Sequence, residues 1–435
     1  MTDDHPTTSA SKRSLWGWAL YDWANSPFTT VIITFVFSTY FARSVVGDET
    51  QGQSLWGYTN AISGLAIAIG SPIFGAIADV GGRRKPWIAV FTLVCAFGSC
   101  ALWFVTPERS SIPLAMIWVV LATIGFEFGI VFNNAMLPDL VDEKRLGRWS
   151  GWAWGLGYAG GLIALLIALF AFVQTDTPLF GLDNSKTEQQ HIRIVGPLVG
   201  IWFLLFVWPL FAFTPDRPST NTGAIAAVRL GLKTVRQTLA ELPRYKNLAR
   251  FLIARMIYAD GLATVFAIGG TYAAGVFGMS FTQVIYFGLL LNVTAGVGAA
   301  CFAWVDDWIG SKKTILISIV GLAASALLAV LATDVTLFWI AGAALGVFVG
   351  PAQSASRSMM ARIAPREMMT EFFGLYALTG KATAFLGPIM VAVVTDATGN
   401  QRSGMVVILA FFVIGGWLLR GVREERALVT HVEPS

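Results

Sequence analysis

Six ionisable residues stand inside long apolar stretches of the chain: Asp22, Glu127, Arg255, Asp260, Arg357 and Lys381. A charge in such surroundings is costly unless it meets a partner or a water-filled path, so each marks a buried pair or a place where a polar solute or a proton is handled. Hydrolytic or redox chemistry is not what they suggest. His5, His191 and His431 lie outside the apolar stretches, and Cys95, Cys100 and Cys301 lie inside them without metal-ligand spacing. The chain therefore reads as no enzyme, with no metal and no cofactor.

The uncharged polar residues Asn25, Asn133, Asn134 and Gln353 stand near these charges. The candidate cavity set is Asp22, Asn25, Glu127, Asn133, Asn134, Asp260, Gln353, Arg357 and Lys381. Asp22, beside Trp23, is either an interfacial structural residue or a solute ligand. Arg255 and Arg357 lie near the ends of their stretches, where they either pair across a gate or reach back to the interface. Glu127, between Phe126 and Phe128, has no cation in its own half of the chain. It is either a carrier of a coupling proton or a permanently protonated packing residue. Asp260 and Lys381 lie at equal depth, roughly 15–18 Å from one side at 1.5 Å per residue, and are expected to pair.

The elements that hold these residues are membrane helices. A chain of 435 residues that is 55% hydrophobic, 13% charged and +0.65 in mean hydropathy is a polytopic membrane protein. With about 20 apolar residues needed per crossing, twelve spans are predicted, at 16–41, 56–78, 87–105, 113–137, 149–173, 195–213, 249–275, 281–304, 314–333, 336–360, 371–395 and 403–420. The first follows Lys12 and Arg13 and is too long for a signal-peptide core. The domains expected are a bundle over 1–213, a linker over 214–248, and a second bundle with a tail over 249–435.

Lys and Arg residues set the orientation. With the N-terminus in the cytoplasm, only Arg43, Arg109, Lys186, Arg193 and Arg402 fall outside, and both termini are cytoplasmic. In the linker, Ile225, Val228, Leu232, Val235, Leu239 and Leu242 make the stripe of an amphipathic helix at the membrane surface. The polar 174–194 segment carries no recognisable motif. Gly155 to Gly160 fits a dinucleotide pattern but lies inside an apolar run with no preceding strand, which favours close helix packing. Gly374 to Lys381 lacks the spacing and the Ser or Thr of a phosphate loop.

The stretch Gly75-Ala-Ile-Ala-Asp79-Val-Gly-Gly82-Arg83-Arg84-Lys85 is repeated more weakly at Ala303 to Lys313, where Asp307, Gly310 and Lys312 match Asp79, Gly82 and Arg84. A glycine reverses the chain and cations hold the headgroup zone. A carboxylate at the C-terminal end of its own helix opposes that helix's dipole and calls for a cation or another helix's N-terminus. The gate set expected is Gly75, Asp79, Gly82, Arg83, Arg84, Asp307, Gly310, Lys312, Arg148 and Glu371. Asp79 should meet the start of the eleventh span, and Asp307 the start of the fifth and Arg148.

This duplicated turn resembles the signature loop of the major facilitator superfamily. The resemblance implies an all-α fold of twelve transmembrane helices in two pseudo-symmetric six-helix bundles. It also implies that spans 1, 4, 7 and 10 line a cavity while 3, 6, 9 and 12 face lipid, and the four latter spans indeed lack ionisable residues in their cores. Tyr21-Asp-Trp-Ala-Asn-Ser26, Asn134 to Asp139, Tyr258 to Gly261, Gln353 to Arg357, Glu371 to Gly374 and Gly380-Lys381 narrow it to the vacuole-effluxer-like branch. That implies a secondary transporter, an exporter coupled to protons, for a small polar solute such as amino acids. The rival is a transport-inactive membrane sensor or scaffold of the same fold. Ala303 and Ser311 depart from the signature and suggest a weaker second contact. The expected surroundings are a bilayer, favouring a bacterial inner membrane, with a monomer and no nucleic acid partner.

Overall fold

The computed structural model of the chain describes residues 10–220, 222, 224–241 and 245–425. Among these, eleven helices are long and apolar enough to cross a bilayer. They are α1 (Lys12–Val46), α2 (Glu49–Gly81), α3 (Lys85–Phe104), α4 (Arg109–Leu140), α5 (Glu143–Val173), α6 (Gln190–Phe213), α7 (Lys246–Phe277), α8 (Thr282–Ile309), α9 (Ser311–Leu331), α10 (Val335–Ile363) and α12 (Gln401–Arg420).

Polar residues at the boundaries start these helices. The Ser11 hydroxyl accepts from the Ser14 N–H at the head of α1, Asp48 from Gln51 at α2, and Asp334 from Leu337 at α10. In α1, Pro27 withholds a donor, and the backbone widens into a π-helix over Phe28–Phe35 and again over Phe41–Val46.

The eleventh crossing corrects the expectation of a continuous span at 371–395. It consists of two half-helices, α11a (Met369–Thr379) and α11b (Leu386–Thr398), joined by the non-helical 380–385 segment. Pro388 supplies the reason: its ring clashes with the carbonyl four residues back, at Ala384, and it has no N–H to give.

Packing repeats with an offset of six helices. In the first bundle α1 lies against α5 and α6, α2 against α4, and α3 against α4 and α6. In the second, α7 lies against α11 and α12, α8 against α10, and α9 against α10 and α12. The bundles meet through α2 with α11a and α5 with α8, which are equivalent pairs. α3, α6, α9 and α12 are outermost and expose Leu93, Ile201, Val320 and Trp417.

Small residues permit the close approaches. A Cβ on Gly160 would lie 2.5 Å from the Trp23 carbonyl oxygen, so the Gly155–Gly160 stretch is a helix-packing surface.

The linker helix, Ala224–Glu241, lies along α2. Its protein contact is made by Ala227 and Gly231, Gly231 against Ile77, while Val228 and Leu232 of the apolar stripe are exposed. Leu242 and the side chains of Ile225, Val235 and Leu239 lie outside what is described.

Within the first bundle, a Cβ on Gly125 of α4 would meet the Phe91 oxygen at 2.6 Å and the Cys95 nitrogen at 2.7 Å, both backbone atoms of α3. Gly125→Leu is expected to cost about 1–3 kcal/mol through overpacking. Thermal unfolding of the detergent-purified protein should show it as a lowered Tm, and an unchanged Tm would mean that α3 and α4 separate freely.

Candidate functional site

Between the bundles lies a cavity of about 600 Å³. Its lining runs from Asn134 and Gln353, near the face that carries the two signature turns, out to Tyr272, Val284 and Val330 at the far ends of their helices. The motif face is closed and the cavity extends toward the opposite face.

Two ion pairs cross from one bundle to the other in this wall. Arg357 on α10 is 2% exposed and donates from Nη1 to Asp22 Oδ2 on α1 at 2.7 Å and to Asn134 Oδ1 on α4 at 3.2 Å. It also donates from Nε to the Ser150 hydroxyl at 2.9 Å and from Nη2 to the Ser150 carbonyl at 2.6 Å, both on α5. One guanidinium thus ties α10 to three helices of the other half, and neither Arg357 nor Asp22 reaches for the interface. Beside it, the Tyr158 hydroxyl donates to Gln353 Oε1 at 2.8 Å.

The second pair corrects an expectation. Lys381 does not meet Asp260; its Nζ lies 2.7 Å from Glu127 Oε1, with side-chain exposures of 39% and 15% that place both on the cavity. Equal depth assumed a straight eleventh helix, whereas the break at 380–385 frees Lys381 to reach α4. Glu127, without a cation in its own half, receives one from the other. Asp260 is 2% exposed, packed beside Thr264 and Gly387, and among the described residues no cation pairs with it.

Of the remaining cavity candidates, Asn25 lines the cavity. Asn133 does not: it is fully buried, turned away from Asn134, and its carbonyl oxygen accepts from Trp18 Nε1 at 2.8 Å. Arg255, read as gate or interface, is instead a cavity residue. Its Nη1 donates to the Tyr376 carbonyl at 2.6 Å and the Thr379 hydroxyl at 2.7 Å, and its guanidinium lies 3.4 Å from the centre of the Tyr376 ring.

At the motif face, Asp79 sits at the head of α11a. Its Oδ2 accepts from the Glu371 N–H at 2.9 Å and its Oδ1 from the Thr370 hydroxyl at 2.6 Å. Gly75, one turn earlier, lets α11a approach: a Cβ there would be 2.6 Å from the Thr370 oxygen. Gly82 turns the chain at φ +82°, and Gly310 does so in the second copy at φ +89°.

Arg84 is 1% exposed and donates to Thr370, to the Ala135 carbonyl and to Asp139, with Asp79 at 3.6 Å. Burial pulls its pKa below the ordinary arginine value; Asp139 pushes it back up, Arg217 down and Asp79 up. Arg83 is exposed.

In the second copy, Asp307 Oδ1 accepts from the Arg148 N–H at 3.0 Å and its Oδ2 lies 3.3 Å from Arg148 Nε, at the start of α5. Ser311, standing where an arginine is usual in the signature, donates to Asp306, and Arg362 supplies the cation to Asp306 at 3.4 Å and Asp307 at 3.9 Å. Lys312 donates to the Arg420 carbonyl at 2.8 Å.

Sequence reasoning missed Asp139, Arg217, Thr370 and Ser150. Arg217 grips Asp139 with two bonds of 2.7 and 2.8 Å and donates to the Arg366 carbonyl, which joins the linker to both bundles. Asp139 closes a stretch that the family resemblance had already picked out. Ser150 carried no signal in the sequence.

Two six-helix bundles of one packing plan, meeting over a charged cavity and closed at one face by carboxylates at helix starts, define a multi-pass transporter of the major facilitator superfamily and not an enzyme. The family model described as "Vacuole effluxer Atg22 like" matches residues 42–149 and 141–431, and the chain belongs to that family. It is 27% identical over 94% of both chains to the uncharacterized MFS-type transporter YxiO of Bacillus subtilis. With autophagy-related protein 22 of Yarrowia lipolytica it shares 24% identity over 71% of this chain and 56% of that protein. The crystal structure of the human organic anion transporter MFSD10 superposes with a TM-score of 0.71 at 14% identity, covering 94% of this chain and 99% of that one.

Asp79→Ala removes the acceptor for the Glu371 N–H and the Thr370 hydroxyl in the first turn of α11a. Charge-assisted bonds of this kind contribute about 1.5–3 kcal/mol, so labelling of a Ser354→Cys reporter, buried beneath the gate, should rise by about tenfold or more. Unchanged labelling would mean that the motif face does not depend on Asp79. For the cavity pair, Glu127→Ala with Lys381→Ala should damage stability less than the two single changes combined, by about 1 kcal/mol or more in a double-mutant cycle. Strict additivity would separate the two side chains.

Proposed function

We propose that the protein is a secondary active exporter of a small polar solute such as amino acids, coupled to protons and working by alternating access. The observation that carries this reading is the Glu127–Lys381 pair, a cavity-facing acid and base contributed by opposite bundles at 2.7 Å. Opening the motif face draws α4 and α5 away from α10 and α11, so this pair and Asp22–Arg357 must part. A proton on Glu127 removes its charge and releases Lys381 before the bundles separate, which links proton occupancy to the conformational change.

The direction rests on the effluxer description of the family, and the amino-acid class on the resemblance of the helix 1 and helix 10–11 motifs to the vacuole-effluxer branch. The charge distribution supports a cytoplasmic motif face and cytoplasmic termini. On this reading the protein is a monomer in the inner membrane of a bacterium, with bundles over 1–213 and 249–435 tethered by the 214–248 linker.

The test uses proteoliposomes and Glu127→Gln. Accumulation driven by a pH gradient should be lost, while solute binding and counterflow exchange persist. Undiminished pH-driven accumulation would take Glu127 out of the coupling step and leave Asp22 or Asp260 as its carrier. Saturable binding without any flux in the unsubstituted protein would turn the reading toward a sensor.

A further inference from the structure

The cavity wall holds three cations, Arg255, Arg357 and Lys381, against two carboxylates, Asp22 and Glu127. Both carboxylates are taken, by Arg357 and by Lys381 at 2.7 Å each. Arg255 is the cation left over: among the described residues no carboxylate pairs with it, and a charge so placed within a membrane bundle calls for a counter-charge. Its Nη1 is pinned by the Tyr376 carbonyl and the Thr379 hydroxyl, and the Tyr376 ring backs its plane at 3.4 Å. These contacts fix the guanidinium without using Nε and Nη2, the edge that grips a carboxylate with two parallel bonds. On the same bundle the wall is apolar, with Phe266, Val284, Phe287 and Leu291 lining the cavity.

We infer that Arg255 is the receptor for the carboxylate of the transported solute, and that this solute is a small organic carboxylate with an apolar body. The inference rests on the transport reading above and adds to it a residue and a chemical class. Arg357 is excluded from this role because its donors are consumed within the seam between the bundles. Lys381 is held by Glu127 and adjoins Gly380, where a Cβ would lie 3.2 Å from Arg255 Nη2. A carboxylate on Arg255 therefore sits beside the coupling pair.

The test compares three acids, L-leucine, L-phenylalanine and 4-methylpentanoate, each with its primary amide, as probes of the full-length protein. Thermal-shift titration gives binding and proteoliposome uptake gives flux, for the unsubstituted protein, Arg255→Gln and Arg255→Lys. At least one acid should bind saturably and its amide about tenfold or more weakly, as expected for losing a charge-assisted bidentate contact. Arg255→Gln should bring acid and amide to the same affinity, and Arg255→Lys, which keeps the charge without the fork, should fall between.

Equal affinity for acid and amide in the unsubstituted protein, binding by none of the acids, or discrimination that survives both substitutions would each overturn the inference. If Arg255→Gln does not fold, Arg255→Lys decides. Flux of amides or a neutral sugar that is indifferent to Arg255 sinks this inference alone, whereas binding with no flux of any probe sinks the transport reading beneath it.

Discussion

The structure depends on the requirement that charges withdrawn from water into the seam between two bundles be paired across that seam. Arg357 shows the consequence most directly, since its donors reach α1, α4 and α5 while its backbone belongs to α10. A buried ion pair is weak evidence for net stability, because desolvating both charges costs about as much as their attraction returns. Breaking one in place, by contrast, costs about 3–5 kcal/mol. Such a pair is thus a conditional bond. It favours the closed seam only while water is absent, and when the bundles part water enters and resolvates both charges. The cost of a charge left buried and unpaired thus falls on any arrangement between a closed seam and a hydrated one.

The motif face applies the same rule with helix ends in place of side-chain cations. Asp79 and Asp307 each stand at the wrong end of their own helix for a negative charge, and each is compensated by the first turn of a helix in the other bundle. A further pair of carboxylates repeats the device inside each bundle. Asp216, just past α6, accepts from the Arg84 and Lys85 N–H groups at 3.0 Å each, ahead of α3; Glu424, just past α12, accepts from the Ser311 N–H at 2.7 Å, ahead of α9. The duplication first visible as two similar turns therefore extends to the residues that brace them, even where the letters differ.

Much of this was legible in the sequence, and the parts that were not share a cause. Hydropathy located the crossings, and the aligned aspartates pointed to the helix starts they meet, because both signals are local. The partner of Lys381 was not, since depth along an ideal helix says nothing of a chain that leaves the helix at Gly380. Asn133 and Asn134 looked equivalent although adjacent helical residues point about 100° apart; Asn134 meets Arg357 while Asn133 faces the packed interior. Arg255 was read from its distance to a helix end, whereas its surroundings are set by Tyr376 and Thr379, more than a hundred residues away. Side-chain direction and long-range partners are tertiary facts, and a single sequence carries them only where a repeat allows one half to be read against the other.

The half-helix α11a joins these observations. Its first turn receives Asp79 at the motif face, and its last turn holds Arg255 through Tyr376 and Thr379. Immediately beyond that turn Lys381 crosses to Glu127. Eleven residues of α-helix span about 16 Å at 1.5 Å per residue and behave as a short rod. The break at 380–385 interrupts the helix between this rod and α11b. Asp79 at the first turn and Glu127, through Lys381 just beyond the last turn, thus fasten the two ends of one short rod to the first bundle.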